Sequence, residues 1–325
     1  MRSPAWFPLE AVAGGAVRLV RLDEASYRAA SFLDQRILGL GCEQQVCGLA
    51  ILEAAAARLA PPSHYIFHTG HVGSTLISRL IGAHESFLSL REPALLRAIA
   101  ARSPSAAGAP SLEVTLALLG RTWRTNQRAV VKVTSFVSEL AEVILAGDAH
   151  PTAIFMFAQP LAYLRAILAG PNSRVESRQL AAQRLERLGR RLGRPEWRMD
   201  PHSEGEYIAM SWLCEMTTLH QAAARFGSQV LWVDFDAFLG EPRSGLQAIF
   251  RALGASPAAG EFEALVAGPL MRQYSKAPEH AYDTALRREL LRQADREHAA
   301  QIRRGMVWLQ IAAKRHPLAA AVLPG

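Results

Sequence analysis

The stretch Tyr65-Ile66-Phe67-His68-Thr69-Gly70-His71-Val72-Gly73-Ser74-Thr75-Leu76 runs from an apolar strand through a turn of small residues into an apolar-periodic helix. That combination binds anions. Successive backbone N–H groups point into the turn, the helix dipole adds partial positive charge, and hydroxyls add further donors. The ligand implied is a phosphate or sulfate ester. The nucleoside-triphosphatase P-loop reads G-x-x-x-x-G-K-[ST]; here His68 stands at the first glycine and Ser74 at the lysine. An ordinary ATPase is disfavoured, and Gly70, His71, Val72, Gly73, Ser74 and Thr75 form the candidate cradle.

Three further positions have chemistry to offer. Glu92, in Arg91-Glu92-Pro93, lies 19 positions after Gly73 and fits either a general base for an acceptor hydroxyl or a helix cap before Pro93. Lys132 sits at the carboxyl end of the apolar run Val130–Val133, where a lysine either snorkels to an edge or faces a ligand. Ser275-Lys276 occupies a loop-like stretch between helices. Lysine is scarce here: Lys132, Lys276 and Lys314 are the only three among 36 basic residues, so each retained ammonium hints at a need for a compact charge.

The elements that must position these residues follow from the hydrophobic pattern. Strands are expected at His64–His68, Ala129–Thr134, Thr152–Ala158 and Gln229–Asp234, separated by helices. Spacings too long for hairpins imply βαβ crossovers and a central parallel sheet with helices on both faces. Ligands of such α/β sheets bind beyond the carboxyl ends of the strands. Residues 1–62 read as a helical appendage, with helices about Glu24–Leu38 and Glu43–Leu59. Residues 63–280 read as the α/β domain, and 281–325 as a C-terminal helical segment on that same domain. The run 103–110 and the polar segment 170–205 are candidates for acceptor-binding loops.

Composition excludes several classes. Half of the 325 residues are hydrophobic, so the chain is globular. No apolar run is long enough to span a membrane and no secretory core follows Met1, which makes a cytoplasmic protein the expectation. The net charge of +7 comes from scattered arginines without interleaved aromatics, which does not favour nucleic acid. Cys42, Cys47 and Cys214 lack metal or disulfide spacing and read as free thiols; no metal constellation is visible.

Over about 64–280, these residues resemble a sulfotransferase of the superfamily that uses 3′-phosphoadenosine 5′-phosphosulfate (PAPS), nearest its bacterial and tyrosylprotein-type branch. His71-Val72-Gly73-Ser74-Thr75 resembles the 5′-phosphosulfate loop, Glu92 the catalytic glutamate, Lys132 the catalytic lysine and Ser275-Lys276 the late cofactor-covering pair. Val230–Pro242 with Leu253-Gly254 resembles a structural signature, which makes Asp234 or Asp236 a cap or scaffold group. The resemblance implies a P-loop-containing nucleotide hydrolase-like (sulfotransferase) fold. It also implies an anionic nucleotide donor and an acceptor bearing a hydroxyl or phenol, whether peptide, carbohydrate or metabolite. At the 3′-phosphate site the family's arginine and serine are replaced by Ala158 and Ala166, leaving Arg165, Arg174 and Ser173 as the nearest substitutes.

In this reading Glu92 takes the acceptor proton, Lys132 and His71 offset charge on the departing oxygen, Ser275 orients that oxygen and Lys276 covers the donor. His71 would then be a pH-sensitive cation. Two other readings stay open. One is an ATP-dependent kinase with Asp234 and Thr75 on magnesium; the other is a non-catalytic binding protein on a degenerate sulfotransferase fold. The C-terminal segment is a candidate surface for a homodimer, on which its pattern does not decide.

Overall fold

The structure, a computed structural model, describes residues 3–59, 63–101, 110–147, 150–194, 202–277 and 279–324. At its centre is a five-stranded sheet built from β4 (Ser63–His68), β5 (Phe87–Arg91), β6 (Arg128–Lys132), β7 (Ala153–Phe157) and β8 (Val230–Asp234). The order is β5-β6-β4-β7-β8, and every neighbouring pair is parallel. This is the α/β architecture the sequence implies.

The strands read as continuous apolar runs because both faces are covered. Successive side chains alternate between two cores. Ile66, Val130, Ile154 and Met156 pack with the helices Ser74–Gly82, Pro160–Ala169 and Glu204–Phe226. Tyr65, Phe67, Val131 and Phe155 pack on the opposite face. The longest helix, Glu204–Phe226, starts in a capping box between Ser203 and Glu206, which satisfies two of its orphan donors.

The N-terminal expectation needs correction. Residues 6–48 contain a three-stranded antiparallel sheet, β1 (Trp6–Val12), β2 (Ala16–Arg21) and β3 (Gln44–Gly48), in that order. The expected helix Glu24–Leu38 is only Glu24–Ala29 followed by a 3₁₀ turn at Gln35–Leu40, capped by Asp34. The expected helix Glu43–Leu59 divides into β3 and the helix Leu49–Ala56. Nor is this segment set apart, since Phe7, Leu9, Val20 and Tyr27 share a core with Phe67 and Val131 of the central sheet. The C-terminal segment is helical over Thr284–Glu297, Ala299–Arg315 and Pro317–Val322. Of the two expected acceptor loops, 103–110 lies outside the described residues except for Pro110. Most of 170–205 forms the helix Pro171–Arg191, and 195–201 is outside the described residues.

Candidate functional site

Parallel strands bring the carboxyl ends of β4, β5 and β6 to one edge, where the turn after β4 opens the helix Ser74–Gly82. Gly73 is the N-cap residue of that helix, with φ of +65°, and no side chain caps it. A Cβ at Gly73 would lie 2.0 Å from the Phe235 ring, so only glycine fits. The first N–H groups of the helix therefore have no intrahelical or capping partner. Beside them, the Thr75 hydroxyl is buried without a hydrogen-bond partner. An unpartnered hydroxyl at an uncapped helix start is what an anion site requires.

The turn itself is braced from below. His68, at the position of a P-loop glycine, is a buried structural group: Nδ1 accepts from the Gly70 N–H at 3.0 Å, so Nε2 is the donor to the Val133 carbonyl at 2.8 Å. Burial holds its pKa well below the ordinary value, so it is neutral. The Tyr163 hydroxyl donates to the Thr69 carbonyl at 3.3 Å. Ser135, next to Gly70, accepts from Arg184 at 2.8 Å, and Arg184 and Arg187 both pair with the fully buried Glu215.

Lys132 and Glu92 are brought together. Arg91 pairs with Lys132 across β5 and β6, and the Glu92 N–H donates to the Lys132 carbonyl at 2.7 Å. Glu92 takes a left-handed backbone, φ +53°, unusual for a non-glycine residue. That turn aims its carboxylate back at the Lys132 ammonium, with which it forms a buried ion pair. The helix-cap alternative for Glu92 is not observed, since Pro93 is the N-cap residue of the next helix, Ala94–Ala100. Lys132 is 1% exposed, and burial lowers its pKa while the Glu92 charge opposes the shift. On its other side, Glu92 Oε2 lies 4.0 Å from the Arg97 guanidinium.

Two cavities meet at this pair. The first, about 260 Å³, is lined by His71–Leu76 and Lys132, then by Ser275 and Lys276, and on its far wall by Arg287. The second, about 550 Å³, is lined by Gly70, Glu92, Arg97, Phe136 and Glu176. His68, His71, Ser173, Tyr274 and Lys276 line both. Lys132 thus faces one cavity and Glu92 the other. Ser275-Lys276 reaches the site from far along the chain because Arg79, on the loop helix and 196 positions earlier, donates to the Ser275 carbonyl at 2.8 Å.

His71 does not have the cationic character expected of it. Its ring is held between Ser173, with Oγ 3.2 Å from Nδ1, and Glu176, with a carboxylate oxygen 3.3 Å from Nε2. Burial lowers its pKa below the ordinary value near 6.5, so the ring is neutral at pH 7. Glu176 is held down to about 2, chiefly by its hydrogen bond with His71.

Neither Arg165 nor Arg174 joins the loop. Arg165 pairs with Asp295 at 2.7 Å, Arg174 forks onto Glu204 at 3.0 and 2.8 Å, and neither lines the two cavities. The cation the sequence reading missed is Arg287, 5% exposed, on the C-terminal helix Thr284–Glu297. It donates to Asp236 at 2.8 Å and stacks 5.0 Å from the centre of the Phe235 ring, the same ring that packs on Gly73. Thr284, Arg287, Leu290 and Leu291 share one face by helical spacing and line the first cavity together. Only that i, i+3, i+7 pattern was legible beforehand, and it reads equally well as ordinary packing. Asp234 caps the helix Phe235–Gly240 and also accepts from Gln159, so the expectation of scaffold roles for Asp234 and Asp236 agrees with their contacts.

No protein-family profile and no curated sequence matches the chain. Among solved structures it is similar to a sulfotransferase domain from the curacin biosynthetic pathway, 12% identical over 78% of this chain and 98% of that one, with a TM-score of 0.44. It is similar to the sulfotransferase domain of the Synechococcus PCC 7002 olefin synthase, 13% identical over 77% and 95%, with a TM-score of 0.45. It is also similar to a mouse sulfotransferase complexed with PAP, 10% identical over 80% and 88%, with a TM-score of 0.44. Among the described residues no cluster of three or more His, Cys, Asp or Glu is arranged to hold a metal, and no helix is long and apolar enough to cross a membrane.

Proposed function

We propose that the chain is a sulfotransferase that moves a sulfuryl group from PAPS to an acceptor hydroxyl or phenol. The observation that carries this reading is the Lys132–Glu92 pair spanning two cavities, one floored by an uncapped anion-binding helix start and the other open beside Glu92. The arrangement suits in-line transfer between a donor in the first cavity and an acceptor in the second. The loop N–H groups, Ser74 and Thr75 would hold the 5′-phosphosulfate. Glu92 would take the acceptor proton while the Lys132 ammonium donates to the bridging oxygen as the S–O bond opens, which is electrostatic stabilisation of developing charge. Ser275 and Lys276 would complete the donor wall.

The residue set fits the donor's second charged end through a cation the loop region does not provide. With Ala158 and Ala166 where the resemblance calls for arginine and serine, Arg287 supplies the guanidinium. Leu239, Met271, Leu290 and Leu291 make an apolar slot suited to a purine. A kinase is the weaker alternative, because both Asp234 oxygens are already engaged and Ser74 replaces the phosphate-binding lysine.

Thermal unfolding of the purified protein with 3′,5′-ADP, 5′-AMP and ATP plus magnesium tests the reading. At a hundredfold excess over Kd, a ligand of the native state stabilises by about 2.7 kcal/mol. Such a gain is expected with 3′,5′-ADP, reduced at least tenfold in affinity by Arg287→Gln. A response confined to ATP plus magnesium would establish the kinase instead, and none to any nucleotide would leave a binding protein of another kind.

A further inference from the structure

The second cavity holds a charged group that its neighbours leave unsatisfied. The turn at Glu92 and Pro93 leads directly into the helix Ala94–Ala100, so Arg97 falls at the end of its first turn, beside Glu92. The Arg97 guanidinium approaches carboxylate oxygens of Asp34 at 3.6 Å and Glu92 at 4.0 Å, beyond hydrogen-bond reach. Its Nε is buried without a hydrogen-bond partner. Such a donor costs free energy in the empty protein, and a ligand that accepts from it recovers that cost.

The other charges around this cavity have closer partners or another place. Asp34 accepts from Arg36 Nε at 2.8 Å, and Arg36 stacks 3.5 Å from the centre of the Phe32 ring. Glu92 is paired with Lys132, and Glu176 hydrogen-bonds with His71. Lys276 lines both cavities, whereas Arg97 lines only the second. Arg97 is thus the acceptor-side cation with donors to spare. Phe32, Phe136 and Tyr274 line the same cavity, and aromatic walls suit a ring. Its volume of about 550 Å³ is that of a small-molecule site.

We propose that Arg97 selects the acceptor by charge, and that the acceptor is a small phenol carrying a carboxylate close to its hydroxyl; this rests on the sulfotransferase reading. Glu92 Oε2 and the guanidinium are 4.0 Å apart. A ligand can give its hydroxyl to one and its acid group to the other only if the two are near neighbours on the ring. The planar edge of arginine matches a carboxylate through two parallel N–H···O bonds. Nε, unused in the empty cavity, supplies one of them. Arg97 determines specificity, while the proton and sulfuryl steps stay with Glu92 and Lys132.

The test compares 3-hydroxybenzoate, 3-methylphenol and 3-(aminomethyl)phenol as acceptors for the full chain with PAPS, a matched series in which only the charge of the ring substituent changes sign. kcat/KM for the acid should exceed that for the neutral phenol by about tenfold or more, with the amine lowest. Arg97→Gln should bring all of them within about threefold, and Arg97→Lys should restore part of the preference. A disturbance of Glu92 would lower every acceptor together, so the ratio isolates the charge contact. Equal kcat/KM values in the wild type, a ratio unchanged in Arg97→Gln, or a preference for an aspartate-flanked tyrosyl peptide would overturn the proposal. Calorimetry with 3-hydroxybenzoate alone separates it from the donor assignment. If 3′,5′-ADP binds and the acid is neither bound nor sulfated, the acceptor class is wrong and the sulfotransferase reading survives. Should the acid bind in an Arg97-dependent way while 3′,5′-ADP fails to bind, the acid site stands and the donor assignment falls. Binding of neither would remove both.

Discussion

Replacing Glu92 by Gln tests whether the Lys132–Glu92 pair carries the energy its burial implies. Lys132 is 1% exposed, and in the variant its ammonium would have no carboxylate partner. Breaking a buried pair by removing one partner costs about 3–5 kcal/mol. A ceiling on that cost follows from the escape route open to lysine, which is to lose its proton. From its ordinary pKa of 10.5, deprotonation at pH 7 spans 3.5 units; at about 1.36 kcal/mol per unit this is about 5 kcal/mol. The deficit must then depend on pH. In folded Glu92→Gln the lysine is neutral, while in the unfolded chain it is charged, so the unfolded state binds more protons and stability rises with pH. Two pH units should recover about 2.7 kcal/mol, so a deficit near 5 kcal/mol at pH 7 shrinks to about 2 at pH 9. In the wild type the Glu92 carboxylate opposes the lowering of the Lys132 pKa by burial, so its slope should be smaller than the variant's. Urea unfolding of both proteins at pH 7 and 9 measures it, and Glu92→Gln with Lys132→Met should be more stable than Glu92→Gln alone. A deficit under 1 kcal/mol, or one that is flat between the two pH values, would refute the reasoning.

Two further perturbations have definite outcomes. Gly73→Ala forces a Cβ into a left-handed backbone, at about 1–2 kcal/mol, and into the Phe235 ring, at about 1–3 kcal/mol more. In a double-mutant cycle with Phe235→Leu the steric part should appear as coupling, and additivity within about 0.3 kcal/mol would show that the ring yields freely. His64, with Nδ1 accepting from the Thr152 N–H, has a pKa pushed down to about 4 by burial, with the Arg128 charge adding to it. Its folded pKa lies below its unfolded one, so its stability contribution is full above pH 6.5 and is lost as pH falls toward 4. The loss amounts to about 3 kcal/mol. Urea midpoints of the wild type and His64→Gln should therefore converge over that window; parallel curves would mean His64 is protonated in the native state.

What could be read in advance was whatever local pattern specifies. The strands β4, β6, β7 and β8 stood out because parallel strands buried on both faces are continuous apolar runs. The loop stood out because its glycines and hydroxyls are adjacent in sequence. β5 was not among the expected strands, since Ser89 and Arg91 interrupt its apolar run. Arg91 is nevertheless buried, donating to the carbonyls of Arg28 and Ala30 at 3.0 and 2.7 Å. β3 was read as helix because its residues, Gln44 to Gly48, are mostly exposed; pairing with β2 makes them a strand, and a single sequence carries no record of that partner.

The site divides in the same way. The sequence by itself determined the α/β class, the glycine- and hydroxyl-bearing loop from Gly70 to Thr75 and the residue types at Glu92, Lys132 and Ser275-Lys276, because each depends on neighbours within a dozen positions. Tertiary structure decided which charges meet. It closed Glu92 onto Lys132 through a left-handed turn and held His71 neutral between Ser173 and Glu176. It bound Arg165 and Arg174 to carboxylates away from the loop, and it drew Arg287 in from the C-terminal helix. A charge acts through distance and desolvation, and neither is set by position along the chain.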